Sequence, residues 1–407
     1  MDIASQSSGV LSNAAYRHFV ASRMLSSFAF QGMTIALGWL VYDTTRNPFD
    51  LGLIGLCQFL PMVVLTFVVG QVADHFDRRR IGLVCQLLEA LVALVFALGI
   101  WQGWLSVPLI FASVAVLGAT QAFERPTMAS LLPNIVPASI LQQAIATSTS
   151  FTQTAMIIGP SLGGLLYGVN PVAPFVFGAL CFVIASYNVI SVKVIASTAR
   201  EREPVTLASV FAGVEFIRTR PIMLGTISLD LFAVLLGGAT ALLPIFARDI
   251  LMAGPWGLGL LRAAPALGAL SMSIVLARRP LHSAVGLKMF AAVAVFGVAT
   301  IVFALSTSIA LSIGALFVLG AADTVSVVVR HSLVQLLTPD AMRGRVNAVN
   351  SLFIGTSNQL GEFESGMVAG FFGPVAAGVI GGVGTLLVVA AWMRWFPALR
   401  GVKTLEG

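Results

Sequence analysis

Apolar runs long enough to cross a lipid bilayer as helices recur along the whole chain of 407 residues, and this feature limits the fold most. Hydrophobic residues make up 57% of the chain and charged residues only 10%. A soluble domain of this size would carry about a quarter charged residues. The sequence therefore predicts an all-α polytopic membrane protein, and it excludes a soluble one.

The apolar runs predict twelve transmembrane helices. The first run is kept as a span because the polar N-terminus lacks the basic and then apolar layout of a cleaved signal peptide. The predicted spans cover residues 18–42, 50–72, 79–101, 106–128, 141–167, 171–193, 220–247, 256–278, 286–306, 309–332, 346–371 and 374–396.

Basic residues are concentrated in the even-numbered connections between the spans. Positive charge favours the cytoplasmic side, so both termini are predicted to be cytoplasmic. This distribution explains the net charge of +6 by orientation in the membrane, with no nucleic-acid partner. The even connections hold Arg78, Arg79, Arg80, Arg125, Lys193 through Arg220, Arg278, Arg279, Lys288, Arg343 and Arg345.

The longest connection, residues 194–219, divides the chain into two halves of six spans, 1–193 and 220–407. Its first part is charged and carries Pro204, which is typical of a linker. Its second part is amphipathic enough to lie along the membrane surface.

The two halves repeat, with like-numbered spans carrying like residues. Because each half has an even number of spans, the repeat is parallel and is related by an axis along the membrane normal. The matching pairs are Gly55 and Pro61 with Gly259 and Pro265, Arg125 and Pro133 with Arg330 and Pro339, and Gly159 and Gly163 with Gly366 and Gly370.

A charged turn separates the second and third spans. Its residues Gly70, Asp74, Arg78 and Arg79 follow the spacing Gly-x-x-x-Asp-x-x-x-Arg-Arg, which resembles the signature loop of the major facilitator superfamily. Asp77 stands where that family commonly has a glycine. The glycine at position 70 lies at the end of an apolar run, and it predicts that the second span ends near this residue.

Other segments narrow the resemblance to the subgroup that holds bacterial drug:proton antiporters and the enterobactin exporter. They are ALGWLVYDTT, LLPNIVP, PDAMRGRV and NQLGEFESG, together with a fifth-span motif formed by Gly159, Pro160, Gly163 and Gly164. The resemblance implies the major facilitator fold, a bacterial cytoplasmic (inner) membrane location, a monomer and no cofactor. It also implies that the fifth-span glycines pack closely against another helix and help to seal against proton leak.

The signature loop is intact only in the first half, since the second-half copy is reduced to Arg278 and Arg279. Gating explains this asymmetry better than charge orientation does. We expect Asp74 to meet the N-terminal end of the eleventh span, at residues 343–346, where a helix dipole and an arginine favour a carboxylate.

Four acidic residues inside the spans are candidates for proton coupling: Asp230, Asp323, Glu362 and Glu364. A charge at the bilayer centre costs about 2.5–3.5 kcal/mol, so each needs a partner or a function. The alternative is a structural hydrogen bond or ion pair, and this is the interpretation favoured for Glu89 in the third span.

Neutral and basic groups on other spans are candidates for contact with cargo. By the resemblance, the first, fourth, seventh and tenth spans line a central cavity, which makes Gln31, Gln121 and Arg330 substrate-cavity candidates. Ordinary helix packing remains an alternative for the two glutamines. Arg125 and Arg330 occupy equivalent places in the repeat, which suggests a shared role in pairing with Glu124 or with loop carbonyls when the inner side closes. Snorkelling of these side chains to lipid headgroups is the alternative.

Function follows from these features as a hypothesis. We expect a proton-coupled exporter of small amphiphilic organic molecules that works by alternating access. The alternatives are a siderophore or secreted-metabolite exporter, an uptake symporter and a non-transporting receptor. An enzyme, an ATP-driven pump and a metal site are not expected, because the sequence has no HExxH, GxSxG or P-loop motif and no metal-ligand spacing among its three cysteines and four histidines.

Overall fold

A computed structural model describes residues 10–137, 140–194, 207–279, 281 and 283–404. In this part of the chain there are twelve long helices, one shorter amphipathic helix and no strand. The helices are α1 Ala14–Thr45, α2 Pro48–His75, α3 Arg78–Gln102, α4 Val107–Leu131, α5 Leu141–Val169, α6 Ala173–Ile190, α7 Leu207–Arg218, α8 Pro221–Leu236, α9 Gly254–Arg278, α10 Val285–Leu305, α11 Ile309–Leu336, α12 Asp340–Phe372 and α13 Pro374–Trp395.

Ten helices of the described chain are long and apolar enough to cross a membrane. The two other long helices, α5 and α12, carry more polar residues, such as the Thr147–Ser150 run in α5. They match the fifth and eleventh predicted spans, so the twelve-helix prediction is confirmed. The amphipathic segment of the linker forms α7.

The seventh span departs from a continuous helix. Helix α8 ends at Leu236, and the chain continues through the short turns Ala239–Leu242, Leu243–Ile245 and Phe246–Ile250. Two glycines at 237 and 238 weaken the helix, and Pro244 further on lacks the backbone donor that a regular helix needs.

Packing divides the chain into two compact units. One unit comprises Met1–Val41 and Cys57–Pro204, and the other comprises Tyr42–Leu56 and Val205–Gly407. The segment Tyr42–Leu56 thus packs within the second unit although it lies in the first half of the chain.

Equivalent helices make equivalent contacts inside the two units. In the first unit α3 packs on α4 and α6, and in the second unit α10 packs on α11 and α13. These are the third, fourth and sixth spans of one half and the ninth, tenth and twelfth of the other. The contacts agree with the parallel repeat that the sequence predicts.

Close backbone approach recurs at a second pair of equivalent helices. A Cβ added at Gly163 of α5 would lie 2.6 Å from the Cα of Gly32 in α1, and one added at Gly159 would lie 2.8 Å from the Cβ of Gln31. In the second unit, a Cβ at Gly361 of α12 would lie 2.9 Å from the carbonyl oxygen of Val234 in α8. Small residues allow this approach in a membrane. The fifth-span residues Pro160 and Gly164 are also buried.

The charged turn between α2 and α3 begins later than the sequence suggests. Helix α2 continues through Gly70 to His75, because no proline or other breaker follows the glycine. Asp77 then caps α3, since its carboxylate accepts a hydrogen bond from the backbone N–H of Arg79 at 2.9 Å. The Arg79 guanidinium lies 2.7 Å from the same carboxylate. Asp77 therefore contributes a helix cap where the family commonly has glycine.

The two arginines of the turn donate hydrogen bonds to backbone carbonyls at the ends of other helices in the first unit. The Arg78 guanidinium donates to the carbonyl of Ser130 at 3.0 Å, and that of Arg79 donates to the carbonyl of Val192 at 3.0 Å. These carbonyls lie at the ends of α4 and α6, where a cation interacts favourably with the helix dipole. The side chains of Asp74 and Arg343 lie outside the described residues, so the contact expected for Asp74 stays a prediction.

Gly163→Ala should destabilise the first unit, because the new methyl group meets the backbone of Gly32 and forces α1 and α5 apart. Overpacking of this kind costs about 1–3 kcal/mol. Thermal unfolding in detergent measures the loss. Gly314→Ala is the matched control, since a Cβ there meets nothing within 4 Å. Equal melting temperatures for the two variants would contradict the close approach.

Asp77→Asn should lower thermal stability near neutral pH and lose its effect in acid. The hydrogen bond from Arg79 lowers the pKa of the Asp77 carboxyl below its usual value. A lowered pKa in the folded state means that the carboxylate stabilises the fold above the unfolded pKa, and that this stabilisation is lost as the pH falls through the folded pKa. Loss of the cap, tested with Asp77→Ala, costs about 1 kcal/mol. Melting curves of the wild type and of Asp77→Asn across pH measure the charge effect, and a difference between these two that persists in acid would contradict it.

Candidate functional site

A buried ion pair joins α8 and α11 in the second unit. The guanidinium of Arg330 lies 3.1 Å from the carboxylate of Asp230, and their side chains are 4% and 7% exposed. Asp323 lies two helical turns before Arg330, on the same face of α11. The structure thus brings together three residues that the sequence marks as candidates.

The charges of this cluster do not balance. When both carboxylates are ionised, two negative charges face one positive charge, and Asp323 feels the repulsion of Asp230 and the attraction of Arg330. The Nε of Arg330 is buried and has no hydrogen-bond partner. Because the ionised carboxylates outnumber the guanidinium by one, the cluster can accept one more positive charge. A proton is the smallest group that can supply it.

Glu362 and Glu364 of α12 lie in different surroundings. A Cβ placed on Gly55 would lie 3.3 Å from a carboxylate oxygen of Glu362, so this residue packs against α2 within the second unit. Arg262 of α9 supplies a favourable charge to Glu362. Glu364 instead accepts a long hydrogen bond of 3.5 Å from Ser365. The two-residue spacing separates them, as expected for a helix.

A second polar network lies inside the first unit, around Glu124 of α4. Its Oε1 accepts hydrogen bonds from Ser26 of α1 at 2.9 Å and from Gln86 of α3 at 2.8 Å. Its Oε2 accepts from Gln121 at 3.1 Å. The residue is 5% exposed. Glu124 therefore links three helices through one carboxylate.

Glu89 of α3 belongs to the same network. Its Oε1 accepts hydrogen bonds from Thr120 at 2.9 Å and from Gln121 at 2.8 Å, and the residue is fully buried. The Gln121 amide thus stands between Glu89 and Glu124. The guanidinium of Arg125 donates to the Oε1 of Gln121 at 2.9 Å and fixes the orientation of this amide.

The two glutamines considered as cargo contacts occupy different positions. The donor end of Gln121 is committed to Glu89 and Glu124, and its acceptor end to Arg125. Gln31 of α1 packs its Cβ toward Gly159 of α5. Contact of these side chains with cargo stays a prediction.

Sequence reasoning missed Arg23, Ser26 and Gln86, and it treated Glu124 only as a partner for Arg125. The signal was present as two equal spacings, Gln86-x-x-Glu89 in α3 and Gln121-x-x-Glu124 in α4. A separation of three residues places an amide and a carboxylate on one face of a helix. Two neighbouring helices with this pattern can complement each other.

A third cluster joins the end of α1 to the turns after α8, within the second unit. Asp43 forms an ion pair with Arg248, and the hydroxyl of Tyr42 donates to Asp249. Arg46 lies 3.9 Å from both Asp43 and Asp249. The side chain of Arg248 is 22% exposed, so this pair is better shielded from water than the contacts of Arg46.

Among the described residues, no three His, Cys, Asp or Glu side chains are grouped so as to hold a metal ion. Three clusters of polar side chains described above differ in charge. Carboxyl groups in these clusters are chemically able to bind protons, and the guanidinium groups are able to pair with the carboxylates.

Comparison with known proteins identifies relatives across the full length. Residues 6–405 match the family described as transmembrane secretion effector. The multidrug efflux pump Tap of Mycolicibacterium fortuitum is 27% identical over 371 residues, which cover 85% of this chain and 87% of Tap. The enterobactin exporter EntS of Citrobacter koseri is 25% identical over 403 residues, which cover 95% of this chain and 92% of EntS.

Solved structures share the fold at low sequence identity. A bacterial homolog of the human lysosomal transporter Spinster has a TM-score of 0.73 at 12% identity, with 95% of this chain and 96% of that chain covered. The nucleoside transporter NupG has a TM-score of 0.71 at 14% identity, with 94% and 99% covered. Together with the family match over nearly the whole chain, these findings show that the protein is a membrane transporter, not an enzyme, and that it belongs to the major facilitator superfamily.

Proposed function

We propose that this transporter exports small amphiphilic organic molecules in exchange for protons, by alternating access. The observation that carries the proposal is the buried pair of Asp230 and Arg330 with Asp323 beside it. A second carboxylate beside a permanent ion pair would add only repulsion. In a cluster that gains and loses one proton, the second carboxyl group allows the net charge to change between neutral and one excess negative charge.

The exchange works through the partners of Arg330. When Asp230 is ionised, its bond to Arg330 ties α8 to α11. A proton on Asp230 breaks this tie, and Arg330 then has Asp323 of its own helix as the remaining partner. Removing one member of a buried pair costs about 3–5 kcal/mol, which is large enough to shift a conformational equilibrium. Proton binding therefore changes how α8 and α11 hold together.

The direction of transport is inferred from the relatives. Tap is named as a multidrug efflux pump and EntS as an enterobactin exporter, and both cover most of this chain. The fifth-span motif resembles that of antiporters, which argues against an uptake symporter. The match to EntS supports a siderophore or secreted metabolite as the alternative cargo.

The membrane placement follows from charge. From the basic even-numbered connections we infer that both termini are cytoplasmic. The bacterial relatives support a location in the cytoplasmic membrane, where a proton gradient is available. We propose a monomer, since each six-helix half has its own core and the proposed exchange needs no second chain.

The segment Tyr42–Leu56 supplies a mechanical element for alternating access. It packs within the second unit, yet the chain joins it to the first unit at both ends. We propose that some contacts of this segment change during the transport cycle. We propose that the pair of Asp43 and Arg248 is one of these contacts and that it breaks and reforms in each cycle.

Asp230→Asn should abolish coupled transport while the protein still inserts, because Arg330 loses its charged partner. Inside-out vesicles with an acidified lumen measure this, with ethidium and enterobactin as probes. We expect accumulation of at least one probe to fall by roughly tenfold or more, since even about 1.4 kcal/mol corresponds to a factor of ten.

Glu215→Gln is the matched control, because Glu215 is an exposed carboxylate on α7. Full activity of both Asp230→Asn and Asp323→Asn would remove this cluster from the mechanism. If collapse of the pH gradient with nigericin leaves accumulation of both probes by the wild type unchanged, proton antiport itself is wrong.

Arg248→Asp should slow transport, and the exchange of both charges in Asp43→Arg with Arg248→Asp should restore part of the rate. Exposed ion pairs contribute about 0.2–1 kcal/mol, so the coupling between the two positions should reach at most about fivefold. Initial rates of ethidium extrusion give the double-mutant cycle. Arg394→Asp, at an exposed arginine of α13, controls for charge reversal. Strictly additive effects would contradict a functional contact.

A further inference from the structure

We propose that Glu89 and Glu124 form a second proton-binding site, inside the first unit, with the proton on Glu89 and the negative charge on Glu124. The bound proton is inferred from the geometry alone. Its participation in transport rests on the proposed function.

The orientation of Gln121 is the starting point. An arginine side chain can only donate, so the oxygen that faces Arg125 is the amide oxygen of Gln121. The NH₂ group of Gln121 therefore points the other way, to Glu89 at 2.8 Å and to Glu124 at 3.1 Å. A single amide nitrogen thus separates the two carboxyl groups. Two ionised carboxylates at this distance in a bilayer would repel each other strongly.

The contacts of Glu89 fit a neutral acid. Both of its donors, Thr120 and Gln121, converge on Oε1, and its Oε2 is buried with no hydrogen-bond partner. A neutral carboxylic acid has one carbonyl oxygen that accepts and one hydroxyl. An ionised carboxylate would instead leave half of its charge on an unsolvated oxygen, which costs far more than an unpartnered hydroxyl. The unpartnered Oε2 is therefore where the proton resides.

The contacts of Glu124 fit a carboxylate. Ser26 and Gln86 donate to one oxygen and Gln121 donates to the other. Hydrogen bonds to both oxygens stabilise the charged form. The guanidinium of Arg23 on α1 also favours a negative charge on Glu124, because the two groups attract each other.

Among the described residues, the charged groups that act on the pair come from α1 and α4. The groups that face the pair are Arg23 on α1, Arg125 on α4 and the thiol of Cys85 on α3 itself. Helix α6, which packs on α3, has no charged residue, and its titratable side chains are Cys181 and Tyr187. Two carboxyl groups and two arginines thus set the charge of the site.

Loss of the proton would change the packing of three helices. With Glu89 ionised, Gln121 would lie between two negative charges that repel each other. The network that joins α1, α3 and α4 must then rearrange. Proton occupancy in the first unit is in this way tied to helix packing, as the Asp230 cluster ties it in the second unit.

A matched pair of variants tests the protonation state. Glu89→Gln replaces a neutral acid by a neutral isostere, so the melting temperature in detergent near neutral pH should stay at the wild-type value. Glu124→Gln removes a buried charge that Arg23 needs, so its melting temperature should fall. The reverse order would overturn the assignment, and so would equal losses in both variants.

Infrared spectroscopy of the purified protein gives a direct second measurement. The carbonyl band of a protonated carboxylic acid should be present near neutral pH and should lose intensity in Glu89→Gln. The control Glu215→Gln, at an exposed carboxylate, should leave the band unchanged. An unchanged band in Glu89→Gln means that Glu89 is ionised, and the proposal is then wrong.

A transport measurement distinguishes failure of this proposal from failure of the proposed function. Proteoliposomes with an internal pH dye report protons moved while ethidium or enterobactin is exchanged. We expect Glu89→Gln to move fewer protons per cargo molecule than the wild type. If Glu89→Gln retains the wild-type proton count, Glu89 does not carry a transported proton although export stands. If the wild type moves no protons with either probe, the proposed function fails while the infrared result still decides the bound proton.

Discussion

The cost of placing a charge in the hydrocarbon of a bilayer is the constraint on which the interior of this transporter depends. A lone charge at mid-membrane is expensive, so every acidic side chain there must meet an opposite charge, a set of donors or a proton. The second unit uses an opposite charge, in the pair of Asp230 and Arg330. The first unit uses hydrogen-bond donors, which converge on Glu124 from Ser26, Gln86 and Gln121. The same physical requirement is thus met by different chemistry.

The repeat fixes the backbone but not the polar groups. Equivalent helices pack in both units, and glycines allow close approach at equivalent places, namely α1 with α5 and α8 with α12. Arg125 and Arg330 also occupy equivalent positions, yet Arg330 is buried and bound to a carboxylate, whereas Arg125 is exposed and binds an amide. Backbone packing needs only small residues in register, and this requirement survives duplication. A charge needs a particular partner on another helix, so the polar contacts differ between the two halves.

This difference explains what the sequence could and could not predict. The helices follow from apolar length, and the repeat follows from glycine and proline spacing, because both are properties of one segment at a time. The end of α2 was placed too early because Gly70 alone does not stop a helix. The network of Glu89 and Glu124 was missed because it depends on how α3 and α4 are rotated toward each other. The position of Tyr42–Leu56 in the second unit depends in the same way on tertiary contacts.

A site that couples protons to movement must have two states of similar free energy, and an unbalanced charge provides this more readily than a balanced one. A fully satisfied ion pair gains nothing from a proton, whereas a cluster with one excess negative charge changes its bonding when a proton arrives. The group of Asp230, Asp323 and Arg330 has this excess when it is ionised. In the first unit the two carboxyl groups share the donor Gln121, so the proton state of Glu89 changes what that donor can stabilise. In both proposed sites a proton would act on a bond between helices, and helix packing is the quantity that the proposed alternating access has to change.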